Sequence, residues 1–175
     1  MKRLTLLLVL LLASTITLCA QGDPYARVQQ GDRLPEFEVA MLDGTTLTSN
    51  DLVGKVVWIC LWASWCPSCR KELRWLTQSE EFLALLEHEE FVFLPIAREE
   101  NSATVGAWLR EKGYGFTSAV DPERKVYELF AEQEIPRNII VGRDGVIESH
   151  SSAYSKKALG ALIEQTQKML NLKDM

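Results

Sequence analysis

The stretch Leu61–Leu73 reads LWASWCPSCRKEL. Two cysteines, Cys66 and Cys69, stand three positions apart, behind a tryptophan and ahead of a charged amphipathic run. The residues leading into them, Val56–Ala63 (VVWICLWA), are almost wholly apolar, β-branched or aromatic, and too few for a buried helix. Such a run predicts a central strand covered on both faces. Pro67 suits the first turn of a helix, where a missing N–H costs nothing. That helix is predicted to run through Leu73, Leu76, Phe82 and Leu86. The cysteine pair therefore falls where a strand stops and a helix begins, the edge at which α/β sheets carry their chemistry.

This placement bears on what the pair does. A helix entrance offers unpaired N–H groups and the positive end of the macrodipole, which favours thiolate over thiol at Cys66. Cys69 follows by nearly one helical turn, so the two sulfurs share a face and can close a small ring. A dithiol so arranged can attack a partner's disulfide through one sulfur and resolve the mixed disulfide through the other. A zinc clamp needs four ligands. Only Cys60, His88 and His150 are left to help, at no metal-like spacing, and Cys60 is predicted mid-strand. A permanent structural disulfide would close a tiny loop and constrain the unfolded chain little. Redox chemistry is the favoured reading.

The chain around this segment has 175 residues, 47% of them hydrophobic and 25% charged, which suits one globular domain. Its net charge of −5 and lack of a basic stripe speak against a nucleic-acid partner. Residues 1–20 have the anatomy of a secretory signal peptide: Lys2 and Arg3, an apolar stretch over Leu4–Leu12, then ASTITLCA. The stretch is short for a membrane span and is diluted by Ser14, Thr15 and Thr17. Cleavage is expected after Ala20. The alternative makes Cys19 a lipid-bearing N-terminus and a membrane tether, although Leu18 departs from the small residue that bacterial lipoproteins have there. Residues 21–30 are polar and read as a flexible linker, and residues 31–172 as the folded domain. Without Cys19 three cysteines remain, too few and too odd for a disulfide scaffold.

Further elements follow the same logic. FEVAMLDGTTLT predicts a hairpin around Asp43-Gly44, with Asn50 and Asp51 capping a turn toward Gly54. FVFLPIA, from Phe91, predicts a second buried strand, with Pro95 at an edge, a bulge or the strand's end because it cannot donate to a ladder. Asn101–Lys112 reads as a helix closed by Gly113. Asp121-Pro122 reads as the start of a helix reaching about Ala131. RNIIVGRDGVIESH predicts two strands around Asp144-Gly145, and Ser155 opens a last helix with Leu159, Leu162, Ile163 and Leu170 on one side. This order implies an α/β fold with one mixed sheet and helices on both faces.

LWASWCPSCRKEL resembles the active-site segment of thioredoxin-fold proteins, and among them the exported TlpA/ResA-like thiol–disulfide oxidoreductases. The likeness extends over the N-terminal hairpin, the helix after Phe91–Ala97, the EIPRNIIV segment and the Asp-Gly hairpin. It implies a three-layer thioredoxin-like fold with an N-terminal β-hairpin extension. It implies that Cys66 attacks, that Cys69 resolves and that Trp65 shields them. It also implies that Ile135-Pro136 is a cis peptide lying against the redox pair, with the backbone of Ile135 pairing a substrate strand beside Pro67. The redox centre is then the Cys66–Cys69 disulfide itself, with no other cofactor and no metal. Partners are protein thiols and disulfides and an upstream membrane or periplasmic electron donor. Relatives work mostly as reductants, some in cytochrome c maturation, so periplasmic reduction is expected; an oxidant or isomerase is the alternative.

Glu72 can be argued from its neighbours. Ser68, Cys69, Trp75 and Leu76 lie three and four residues away, and none is basic, so a surface ion pair does not account for it. A half-buried carboxylate beside Cys69 has a raised pKa and can exchange protons with the resolving thiol; ResA-like proteins have a glutamate at the matching place. A solvated helix carboxylate is the competing reading. Cys60 reads as a core thiol, and Trp58, Trp62 and Trp75 as core aromatics. His88 reads as a solvated helix end and His150 as a residue without an identifiable partner. Arg98, Glu99 and Glu100 read as a wet loop that rims the site.

Two rival functions are disfavoured. Peroxiredoxins place a threonine three residues before their cysteine and a proline four before that; Ala63 and Ile59 stand there in this chain. Copper-assembly proteins of the Sco type separate their cysteines by three residues rather than two and add a distal histidine.

Overall fold

The computed structural model describes residues 23–172. The expected signal peptide and Cys19 lie outside the described residues. Strand β3 (Val56–Trp62) is buried along its whole length, as its unbroken apolar run requires. It pairs in parallel with β4 (Phe91–Arg98) and antiparallel with β6 (Arg137–Val141). β1 (Glu38–Met41) and β2 (Thr46–Thr48) form the Asp43-Gly44 hairpin, and β6 continues into β7 (Ile147–Ser152) through Asp144-Gly145. With β5 (Ala119–Asp121) the seven strands are ordered β2-β1-β5-β4-β3-β6-β7. This is the mixed, thioredoxin-like sheet that the sequence implied.

Alternation along β3 divides the core. Val56, Trp58, Cys60 and Trp62 face one side, with the helices α1 (Pro67–Leu76), α2 (Glu80–Leu86), α3 (Ser102–Lys112) and α5 (Lys156–Met169). Val57, Ile59 and Leu61 face the other, with the short helix α4 (Tyr127–Phe130), Phe37 and Val28. Helices cover both faces, unequally.

Four expectations need correction. The helix expected from Pro67 to Leu86 is two helices, because Ser79 restarts the chain by accepting the N–H of Phe82. The helix expected from Asp121 begins only at Tyr127; Asp121 ends a strand, and its carboxylate reaches forward to the N–H groups of Val126 and Tyr127. Pro95 lies mid-strand and inside the sheet. Its carbonyl accepts from Ser118 Oγ, and pairing with β5 begins one residue later at Ile96, so the polar edge of Pro95 faces a place where β5 has not yet started. Within the expected flexible linker, residues 23–30 are docked on the domain. Arg27 donates its N–H to Phe130, Ala26 bridges to Ala131, and Val28 enters the core. Burial of Val28 and the ion pair of Asp23 described below fix a segment whose polar composition suggested a tether.

Candidate active site

Cys66 is the N-cap of α1, with extended backbone, and Pro67 takes the first helical position. The Cys66 Sγ accepts the N–H of Cys69 at 3.2 Å, so the sulfur occupies the place where a capping oxygen normally satisfies a helix's first donors. Cys66 and Cys69 are joined as a disulfide. Cys66 retains 5% exposure and Cys69 none, so Cys66 is the sulfur that a partner can reach. Ser68 Oγ lies 3.2 Å from Cys66 Sγ. The Ile135-Pro136 bond is cis, and the Ile135 carbonyl lies 3.8 Å from Cys66 Sγ. Trp65 is half exposed beside the pair, with the Arg98 guanidinium 5.8 Å from its ring.

Glu72 is fully buried, which removes the solvated-carboxylate reading. Its Oε1 accepts from Asn138 Nδ2 at 2.9 Å and from the Cys60 thiol at 3.5 Å. Asn138 Oδ1 accepts in turn from Trp58 Nε1 at 2.7 Å. Cys60 and Asn138 are paired across β3 and β6, so strand register brings both side chains under α1. Burial pushes the Glu72 carboxyl up to about 7, against the Asn138 and Cys60 hydrogen bonds, which lower it. Glu72 Oε2 is buried without a partner, a place where a carboxyl proton can sit. The core thiol expected at Cys60 is thus also a donor to this carboxylate.

Other residues have roles that the sequence reading did not give them. Glu100 is buried, not part of a wet loop, and its carboxylate accepts from both the N–H and the hydroxyl of Ser64, two residues before Cys66. Arg137, directly after Pro136, is fully buried. Its guanidinium donates to the Gln133 and Glu134 carbonyls and forms an ion pair with Asp23. Burial pushes the Asp23 carboxyl up, but hydrogen bonds from Arg137, Tyr25 and Ser152 outweigh it and hold it at about 2. His150 has a partner after all: its Nε2 lies 3.1 Å from Arg137, and burial, then the Arg137 charge, lower its pKa. The one available signal was the polar Arg137-Asn138 pair opening an otherwise apolar strand. Trp58 and Trp62 are core residues as expected, and His88 receives the N–H of Glu90 just past α2. No cluster of three or more His, Cys, Asp and Glu able to hold a metal ion occurs among the described residues.

A dithiol pair capping a helix at the end of the central strand, beside a cis-proline loop, defines a thioredoxin-fold thiol–disulfide oxidoreductase. The chain belongs to the AhpC/TSA family, whose sequence profile matches residues 30–150. It is similar to the thiol–disulfide oxidoreductase ResA of Bacillus thuringiensis, 25% identical over 140 residues that cover 79% of each chain. It is also similar to the thiol:disulfide interchange protein DsbE of Allochromatium vinosum, 32% identical over 127 residues that cover 65% of this chain and 61% of that one. Its fold matches the solution structure of a candidate protein disulfide isomerase from Bacteroides thetaiotaomicron with a TM-score of 0.78 and 28% identity, over 84% of this chain and 93% of that one.

Proposed function

We propose that the protein is exported and reduces disulfides in other exported proteins, with Cys66 attacking and Cys69 resolving. The observation that carries the reading is the position of Cys66 Sγ: it caps α1, receives a backbone N–H and keeps the only exposed edge of the pair. These dipoles favour the thiolate in the reduced protein. The Cys66 thiolate attacks one sulfur of the partner's disulfide and expels the other as a thiolate. Cys69 then attacks Cys66, releases the partner as a dithiol and leaves the Cys66–Cys69 disulfide, two electrons having passed to the partner. The disulfide is the whole redox centre, and an upstream donor reduces it again.

The backbone of Ile135 pairs the substrate beside Pro136 and Pro67, while Trp65 covers the mixed disulfide. Glu72, one turn beyond Cys69, holds the proton that the resolving thiol gives up or takes back. The apocytochrome c cysteines that must stay reduced for haem attachment are among the fitting substrates. The N-terminus is either cut after Ala20 or tethered through Cys19. No helix among the described residues is long and apolar enough to cross a membrane.

Cys69→Ser is expected to accumulate mixed disulfides with exported proteins, read on non-reducing gels; no trapped partner in that variant overturns the protein-substrate reading. The midpoint potential tests direction. A value near about −270 mV supports a reductant, and one near about −120 mV an oxidant.

A further inference from the structure

A groove of about 310 Å³ starts at Pro67, beside Cys66, and runs between α1 and α3. One wall carries Arg70, Lys71 and Arg74, all exposed, at the three- and four-residue spacing of one helix stripe. The floor is aromatic and fixed: Trp108 packs against Trp62 with ring centroids 5.2 Å apart and against Tyr114 at 5.5 Å. Among the described residues, none of these three cations has a carboxylate partner, whereas Arg98, Arg124, Arg137 and Arg143 each have one. The chain carries 24 acidic residues against 19 basic ones, so carboxylates are not scarce; they are missing from this wall. Arg74 and Tyr114 also line an adjoining valley of about 1100 Å³, which gives an extended segment room to continue away from the sulfur.

We infer that this groove docks an acidic segment of the protein substrate, next to the cysteine that Cys66 attacks. The inference rests on the disulfide-exchange reading above and deepens it by naming the charge of the partner. Three cations without carboxylate partners, along a groove that opens at Pro67 next to Cys66, steer an anionic chain toward the sulfur and raise the encounter rate by about 10- to 1,000-fold at low salt. A polypeptide fits better than a bilayer, because the cations line a concavity with its aromatics on the floor. A bilayer pressed on this wall would also block approach to Cys66.

Two cystine peptides test it, identical except that the residues beside the disulfide are Asp in one and Lys in the other. Each is mixed with the fully reduced protein, and the second-order rates are divided by the rate with hydroxyethyl disulfide, which has no charge. The Asp peptide is expected to react at least about 10-fold faster at low salt, with the advantage vanishing at high salt as the Debye length shrinks. The triple variant Arg70→Glu, Lys71→Glu, Arg74→Glu is expected to prefer the Lys peptide. Equal rates for the two peptides in the wild type, or an unchanged preference in the variant, overturn the inference. Failure to reduce either peptide or hydroxyethyl disulfide overturns the redox reading instead. The groove is then judged by the affinity of the serine versions of both peptides, followed by tryptophan fluorescence, and equal affinity overturns it. Sedimentation with phosphatidylglycerol vesicles supplies the competing outcome: vesicle binding that the triple variant abolishes, with equal peptide rates, assigns the wall to a membrane and overturns the inference.

Discussion

Cys60 and Cys66 belong to one strand–helix unit, and the fold gives them opposite chemistry. Cys66 lies four residues past the strand, retains an exposed edge and receives a backbone N–H at the positive end of α1. Cys60 sits inside the strand, fully buried, with its sulfur donating to a carboxylate. Burial and then the Glu72 charge push its thiol well above the ordinary range. The difference lies in backbone position: within the strand every N–H is spent on the ladder, whereas at its end the next helix has donors to spare. Reactivity in this unit is a property of the place more than of the residue.

The largest effect expected from this contrast is kinetic. In the reduced, folded protein, iodoacetamide at neutral pH should alkylate Cys66 at least about 1,000-fold faster than Cys60, since one is a favoured thiolate and the other must await local opening. Mass spectrometry of peptides against time reads this out. Comparable rates would break the contrast.

A second test lies in the carboxylate that accepts from Cys60. Glu72 is raised from 4.5 to about 7 in the folded protein. Below about pH 4.5 both folded and unfolded chains hold its proton. As pH rises toward 7 the unfolded chain has lost that proton and the folded chain keeps it, so stability falls. The loss is on the order of 3 kcal/mol across that window. Glu72→Gln removes this slope, so the variant should gain on the wild type as pH rises, measured by urea unfolding at pH 5 and pH 8. A parallel pH dependence in both proteins would argue that the carboxyl titrates normally.

The smallest effect concerns what holds Glu72. Asn138→Ala removes the donor to Oε1 and the acceptor of the Trp58 indole, and should cost about 2 kcal/mol. It should also move the Glu72 titration further upward, because the Asn138 hydrogen bond is the first of the two that lower it. Carboxyl-selective infrared titration reads that shift, and an unmoved Glu72 would show that the amide does not tune it.

Much of this site was legible because local rules and tertiary context agree there. The apolar run Val56–Ala63 had to be a central strand, Pro67 had to open a helix, and Cys66 thereby had to cap it. The hairpins at Asp43-Gly44 and Asp144-Gly145 and the Gly113 helix end were legible for the same reason. Where the reading failed, a distant partner decided. Asp121 looks like a cap next to a proline, but β4 recruits it as a strand and its cap acts five and six residues on. Glu100 looks solvated until Ser64 turns toward it across the sheet edge. Glu72 showed its anomaly through the lack of a basic neighbour, yet Cys60 and Asn138 reach it only through strand register.

The Arg137–Asp23 pair has a mechanical corollary. Arg137 grips the carbonyls of the loop that touches the disulfide, and with the same guanidinium it grips the start of the described chain. Tension applied from the N-terminal side therefore arrives together at that loop and at the first residue of β6, Arg137 itself. In a molecule hung from its N-terminus, the point of suspension and the loop that lies against the disulfide would be one joint.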